Sequence, residues 1–115
     1  LISAAANMPE ISRKRYDNAL KLENGNVYFS GFEMSEDFVK SIENKEMYLN
    51  CKNFTKDVLV IQAKNDLSVP YLFGVKYAVS YKNARLHIVK NSGHGYDSIE
   101  NRDELYSKCL EFLTK

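Results

Sequence analysis

The fold is decided by residues 57–70, DVLVIQAKNDLSVP, and by the way the chain continues from them. The run Val58-Leu59-Val60-Ile61 shows no alternation of polar and apolar residues. A run of this kind predicts a strand that is buried on both faces, as in a parallel sheet. A polar turn carrying Asp66 follows it, and residues 71–81 then predict a helix with Pro70 near its first turn. We expect this helix to face inward through Val75, Ala78 and Val79.

A second strand, Leu86-His87-Ile88-Val89, leads directly into Asn91-Ser92-Gly93-His94-Gly95. The order along the chain is therefore strand, acid, helix, strand, histidine. Open α/β sheets place their chemistry beyond the carboxyl ends of their strands, which is where Asp66 and His94 both stand. In a right-handed strand–helix–strand unit these two strand ends can be neighbours. We therefore expect the carboxylate of Asp66 to lie beside the imidazole of His94.

A carboxylate beside a histidine has a defined chemical use. Imidazole has an unperturbed pKa near 6.5, which suits proton transfer at neutral pH. A buried carboxylate that accepts from one ring nitrogen fixes the tautomer and stabilises the imidazolium. Taken singly, Asp66 could be a turn or cap residue, and Gly93-His94-Gly95 could be a tight turn. Their joint placement favours a site.

The other titratable residues near this pair are interpreted as structural. His87 lies within a strand, so we expect it to be a structural or surface residue. Asp97 and Glu100 follow His94 too closely to orient its ring, and are predicted to be acids at a helix start.

Length and composition exclude several classes of protein. The chain has 115 residues, 44% of them hydrophobic, which is room for one domain with a real core. A formal net charge of +1 gives no electrostatic case for nucleic acid or an anionic membrane. The longest apolar runs are far too short to span a bilayer. No pattern of a cofactor or metal site is present, and we expect none to be bound. Cys51 and Cys109 predict two reduced thiols in a cytoplasmic protein, with a disulfide between them left open.

The amino-terminal third gives weaker signals. Leu1-Ile2 is typical of the tail of a sheet strand, followed by a loop up to Pro9, while residues 10–16 show no clear period. Asn24-Gly25-Asn26 readily forms a tight turn, so we predict an antiparallel hairpin between residues 19–23 and 27–29, with an irregular loop as the alternative.

Three further helices are predicted. Ser35 should cap one whose apolar face is Phe38, Val39 and Ile42, and a second, short one spans residues 45–49. Asn101 or Asp103 should cap the last helix, which carries a stripe of Leu105, Cys109, Phe112 and Leu113.

Residues 58–94 resemble the carboxyl-terminal portion of the α/β-hydrolase fold. Asn65-Asp66-Leu67-Ser68-Val69-Pro70 looks like the loop carrying that family's triad acid, and Asn91-Ser92-Gly93-His94-Gly95 looks like its histidine loop. Residues 9–53 are similar to the lid inserted between the sixth and seventh strands, although packing of a small insertion core would produce the same aromatic residues. Together with Ser3-Ala4-Ala5-Ala6-Asn7-Met8, the hairpin and the helix after Ser35, they resemble the cinnamoyl or feruloyl esterase branch of bacterial carboxylesterases.

This resemblance implies an α/β chain with a partial α/β-hydrolase fold. Residues 1–8 would be the end of a sheet strand and its loop, residues 9–53 a lid-like insertion, and residues 54–115 the segment with the acid and the histidine. The family's serine precedes both, in a Gly-x-Ser-x-Gly elbow. No such elbow occurs here, so we expect no nucleophile in this chain, and the lack of an initiator Met also indicates a fragment or a processed product. Ala63 stands where the family often has Gly, which affects the geometry of the acid loop.

The resemblance implies a carboxyl-terminal part of a carboxylesterase acting on small esters, with His94 and Asp66 as its catalytic residues: His94 would be general base and then general acid, and Asp66 would orient it. Its partner would be the missing amino-terminal half of the enzyme, and the chain alone would be inactive because it lacks nucleophile and oxyanion donors. Two alternatives remain open. One is a non-catalytic α/β module that associates through an exposed strand edge. The other is the carboxyl-terminal part of a peptidase of the prolyl-oligopeptidase type, which usually lacks an insertion here.

Overall fold

A computed structural model describes all residues, 1–115, and divides them into two compact units. The first unit contains residues 1–5 and 48–115, and the second contains residues 6–47. None of the helices in either unit has the length and apolar character needed to cross a membrane.

The first unit is built on two parallel strands, β3 (Val58–Ala63) and β4 (Ala84–Val89). They are paired in register from Val58 opposite Ala84 to Ala63 opposite Val89. Helix α3 (Tyr71–Ser80) connects them, as the sequence predicts, and α4 (Ile99–Leu113) follows β4. The predicted order of strand, helix and strand is confirmed.

Strand β3 is central because the chain start pairs with its other edge. Ile2 forms a parallel bridge with Ile61, and the backbone N–H of Ile61 donates to the carbonyl of Leu1 at 2.8 Å. The N–H of Ser3 in turn donates to the carbonyl of Ile61 at 2.9 Å. Leu1 and Ile2 therefore pair with β3 through a single bridge, and their assignment as the end of a longer strand stays a prediction.

The two faces of β3 are covered by different helices, because successive side chains of a strand point to opposite sides. Ile61 and Ala63 belong to a buried cluster with Val89, Tyr96 and Leu105, the last of which comes from α4. Gln62 lies on the other face, against α3. Burial on both faces explains why the strand sequence shows no alternation.

Two details of the helices differ from the predictions. Helix α3 buries Gly74 and Tyr77, whereas Val79 is 77% exposed. A Cβ atom on Gly74 would lie 2.7 Å from the Cβ of Gln62, so glycine permits α3 to approach β3 closely on that side. Ser98, rather than Asn101 or Asp103, caps α4, its Oγ accepting from the N–H of Asn101 at 3.0 Å.

The second unit contains α1 (Met8–Asn18), strands β1 (Val27–Phe29) and β2 (Phe32–Met34), and α2 (Glu36–Ile42). Ser35 caps α2 as predicted, with its Oγ accepting from the N–H of Phe38 at 3.1 Å. Its core consists of Tyr16, Val27 and Val39.

The sequence reasoning missed helix α1 and misplaced the hairpin. In α1 the buried residues are Ser12 and Tyr16, so no apolar period marks it. The hairpin joins β1 to β2 through Ser30 and Gly31, both with positive φ, while residues 19–23 contribute only one bridge, from Lys21 to Val27. The short helix predicted at residues 45–49 is also wrong, since a 3₁₀ turn forms later, at Cys51–Asn53, in the first unit.

Candidate active site

Asp66 and His94 lie side by side at the carboxyl end of the two parallel strands. Asp66 follows β3 and His94 follows β4. Because the crossover through α3 makes these two strands parallel neighbours, the two residues meet at the same end of the sheet. The Nδ1 atom of His94 is 2.8 Å from Oδ2 of Asp66. The expected juxtaposition is therefore present in the structure.

The two partners differ sharply in their exposure. The Asp66 side chain is fully buried, whereas half of the His94 side chain surface is exposed. The imidazole is thus held by a buried partner at Nδ1, while the exposed part of the ring is accessible to a reacting group. This is the arrangement that a general base needs, because it must reach the group from which it takes a proton.

The carboxylate of Asp66 is saturated with hydrogen-bond donors. Oδ1 accepts from the backbone N–H groups of Ser68, at 2.9 Å, and Val69, at 2.8 Å. Oδ2 accepts from Nε2 of Gln62 at 3.2 Å, in addition to the contact with His94. The side chain of Asp66 therefore binds the backbone of the turn in which it lies, as Asp side chains in turns commonly do.

These contacts keep the carboxyl group ionised. Burial alone would raise the pKa of Asp66, but the hydrogen bonds from Val69, His94 and Ser68 outweigh it, and the pKa lies below its ordinary value. An ionised carboxylate can only accept hydrogen bonds. The Nδ1 atom of His94 must therefore carry the proton, which leaves Nε2 unprotonated in the neutral ring.

Tyr96 supports the turn that carries His94. Its φ angle is +48°, a left-handed conformation uncommon for a bulky residue, and its side chain is buried. The tyrosine hydroxyl lies 2.8 Å from Oγ of Ser3. Burial raises the pKa of Tyr96, so the hydroxyl stays neutral and fastens the histidine turn to the chain start.

The other titratable residues near the pair in sequence lie elsewhere in the structure. His87 on β4 is 2.7 Å from the carboxylate of Glu104 on α4, and Glu100 lies in the first turn of α4. Both cysteines are free thiols, Cys51 buried and Cys109 partly buried. Histidine, cysteine and acidic side chains do not gather in any group of three that could hold a metal ion.

Sequence reasoning did not find Gln62 and Tyr96, which both support the pair. A polar residue at the end of an otherwise apolar buried strand was the available signal for Gln62. Tyr96 gave none, because its position depends on a left-handed backbone that the sequence does not reveal.

Comparison with known proteins agrees with this architecture. The family model for TAP-like proteins, an α/β-hydrolase family, matches residues 36–114. Comparison with curated protein sequences gives no significant match.

Solved structures of esterases share the fold. Est1E from Butyrivibrio proteoclasticus superposes with a TM-score of 0.71 at 24% identity, over 99% of this chain and 50% of that one. Est1E with ferulic acid bound gives 0.72 at 23% identity, over 99% and 49%. The esterase EaEST from Exiguobacterium antarcticum gives 0.59 at 18% identity, over 69% and 29%. The chain thus spans about half the length of Est1E.

Proposed function

This chain belongs to the TAP-like family of α/β-hydrolases, and we propose that it is the carboxyl-terminal part of a serine esterase. The observation that carries this proposal is the contact of 2.8 Å between a fully buried carboxylate and a half-exposed imidazole. His94 would act first as general base, taking the proton of a serine hydroxyl, and then as general acid, giving it to the leaving alcohol.

Asp66 would position the imidazole and stabilise it when it becomes charged. The serine and the oxyanion donors would come from the part of the enzyme that precedes Leu1. We propose a small carboxylic ester as substrate. The ferulic acid bound in Est1E supports an ester of an aromatic acid, and residues 9–53 would act as the lid that selects it. Two free thiols support a cytoplasmic location.

The test is hydrolysis of p-nitrophenyl acetate and methyl ferulate by the complete protein. We expect His94→Ala to reduce kcat by about 10⁶-fold, because the residues of such a triad act as a unit and its histidine carries the proton. His87→Ala is the matched control, since it removes an imidazole that contacts Glu104 instead, and it should stay within about threefold of the unchanged enzyme. Undiminished hydrolysis by His94→Ala would refute the proposal.

A second candidate function, association through the first unit, has one observation in its favour. An apolar groove of about 370 Å³ runs along the beginning of β3, and Leu1, Ile2, Leu59, Phe112 and Leu113 line it. Neither Asp66 nor His94 lines this groove. Exposed apolar surface of this kind favours contact with another chain, here proposed to be a second copy.

A further inference from the structure

We propose that Gln62 is a positioning residue for the acid of the candidate active site, which holds the carboxylate of Asp66 in the orientation that His94 requires. The inference rests on the proposed function, because positioning has a purpose only if the pair moves protons. It adds a third side chain to the pair and assigns a role to the polar residue that precedes the last position of β3.

The contacts of Gln62 determine which way its amide points. Its Nε2 atom is 3.2 Å from Oδ2 of Asp66, 3.1 Å from the carbonyl oxygen of Val69 and 3.4 Å from that of Ala63. All three neighbours are acceptors, so only the NH₂ group can face them. The opposite orientation would place the amide oxygen against a carboxylate.

The same orientation leaves the amide oxygen without a partner. Gln62 is completely buried, and its Oε1 makes no hydrogen bond. An unsatisfied buried acceptor lowers stability. An apolar residue of similar size would avoid this cost, and buried polar groups that a fold keeps despite such a cost occur at functional sites.

Gln62 restrains both carboxylate oxygens of Asp66, Oδ2 directly and Oδ1 through Val69. One hydrogen of its amide reaches Oδ2, the oxygen that also faces His94. The other reaches the carbonyl of Val69, whose own N–H donates to Oδ1. The side chain therefore fixes the carboxylate and the turn that binds it, so that rotation of the carboxylate away from His94 would break contacts at both oxygens.

Helix α3 holds the glutamine in this position. A Cβ atom on Gly74 would lie 2.8 Å from Oε1 and 2.9 Å from Cγ of Gln62. Gly74→Ala therefore displaces the Gln62 side chain without removing any atom from Gln62, Asp66 or His94. This gives a second, independent way to perturb the contact.

The experiment measures the tautomer of His94 by ¹⁵N NMR of the imidazole nitrogens at a pH where the ring is neutral. We expect the unchanged chain to show the Nδ1–H tautomer, because Nδ1 faces a carboxylate. Gln62→Met, which keeps the length of the side chain but cannot donate, should shift the population of His94 toward Nε2–H. Gly74→Ala should shift it in the same direction. His87 should not change in either variant.

Asn83→Ala is the matched control. It also removes a side-chain amide that donates to a backbone carbonyl, in this case that of Thr55. Both residues lie near the amino-terminal ends of β3 and β4, away from the candidate site, so the tautomer of His94 should not change. Retention of the Nδ1–H tautomer in folded Gln62→Met and Gly74→Ala would overturn the proposal. An equal response in Asn83→Ala would also overturn it, because the effect would then be general loosening.

A measurement on the unchanged chain avoids any question of variant folding. Gln62 is the only glutamine in the sequence, so selective ¹⁵N labelling of glutamine gives one side-chain NH₂ signal. We expect this signal to shift with pH together with the titration of His94. A signal that does not respond would contradict the contact with Oδ2.

Kinetics of the complete protein separate this inference from the proposed function. Gln62→Met should lower kcat about tenfold with KM within about twofold, because it affects orientation rather than substrate binding. If the complete protein hydrolyses no ester at all, the proposed function fails. The tautomer experiment still decides whether Gln62 orients the pair.

Discussion

Asp66 accepts four hydrogen bonds, and only one of them comes from His94. The other three come from the turn itself and from Gln62, so the carboxylate is fixed before the histidine reaches it. Such preorganisation is what allows a buried charge to persist, because isolated burial would otherwise neutralise the group. The same contacts make Asp66 a source of stability that depends on pH.

The sign of this dependence follows from the lowered pKa. The folded chain binds fewer protons at Asp66 than the unfolded chain does, so the stabilisation is present above the unfolded value of about 4. It is lost as the pH falls through the lower folded-state pKa. We expect the free energy of unfolding to decline below about pH 4, and Asp66→Asn to flatten that decline. Urea denaturation at several pH values measures both.

Asp57→Asn provides the control for this prediction. The hydrogen bond from Lys115 also lowers the pKa of Asp57, but that pair is exposed to solvent, where its contribution is small. Most of the acid-dependent loss should therefore remain in Asp57→Asn. If Asp66→Asn leaves the decline as steep as in the unchanged chain, the contacts of Asp66 do not stabilise the fold.

Among the elements, strand β3, helix α3 and strand β4 could be predicted because each has a strong local signal. The buried strands have continuous apolar runs, and the helix has Pro70 before its first turn. The approximate position of the site followed from this order, since both functional groups come at strand ends. The contact itself depends on three-dimensional packing and needed the structure.

The elements that sequence reasoning missed have weak or competing signals. Helix α1 buries a serine and a tyrosine, so its inward face is not apolar. Two Gly-containing turns compete for the hairpin, and the one after Phe29 prevails because Ser30 and Gly31 both adopt the positive φ that a two-residue turn requires. The apolar side chain of Val79 predicts an inward position, but α3 packs against β3 through Gly74 and leaves Val79 exposed.

The cap of α4 gives a prediction at this scale. The Oγ atom of Ser98 accepts from a free N–H at the helix start, so Ser98→Ala should lower the free energy of unfolding by about 1 kcal/mol. Ser107→Ala is the control, because Ser107 is exposed in the middle of the same helix, where alanine is tolerated. Equal effects of the two substitutions in urea denaturation would show that the cap is not what stabilises the helix.

At the scale of the whole molecule, the apolar groove beside β3 predicts association. If two copies meet there, sedimentation equilibrium should show an apparent mass that rises with concentration. Leu113→Lys should reduce this association, because Leu113 lines the groove and is 77% exposed. Leu110→Lys, which changes an exposed leucine of the same helix outside the groove, should not. A chain that stays monomeric at all concentrations contradicts this second candidate function.

In the proposed mechanism, Asp66 acts on the chemistry through His94. The most direct measurement is a double-mutant cycle on kcat for hydrolysis of p-nitrophenyl acetate by the complete protein, with Asp66→Asn, His94→Ala and both together. Asp66→Asn alone should cost about 10⁴-fold, by analogy with the amide substitution in serine proteases. Because the two residues act as one unit, we expect the double variant to be no slower than His94→Ala. Losses that multiply in the double variant would show that the two side chains act independently, and would contradict the account.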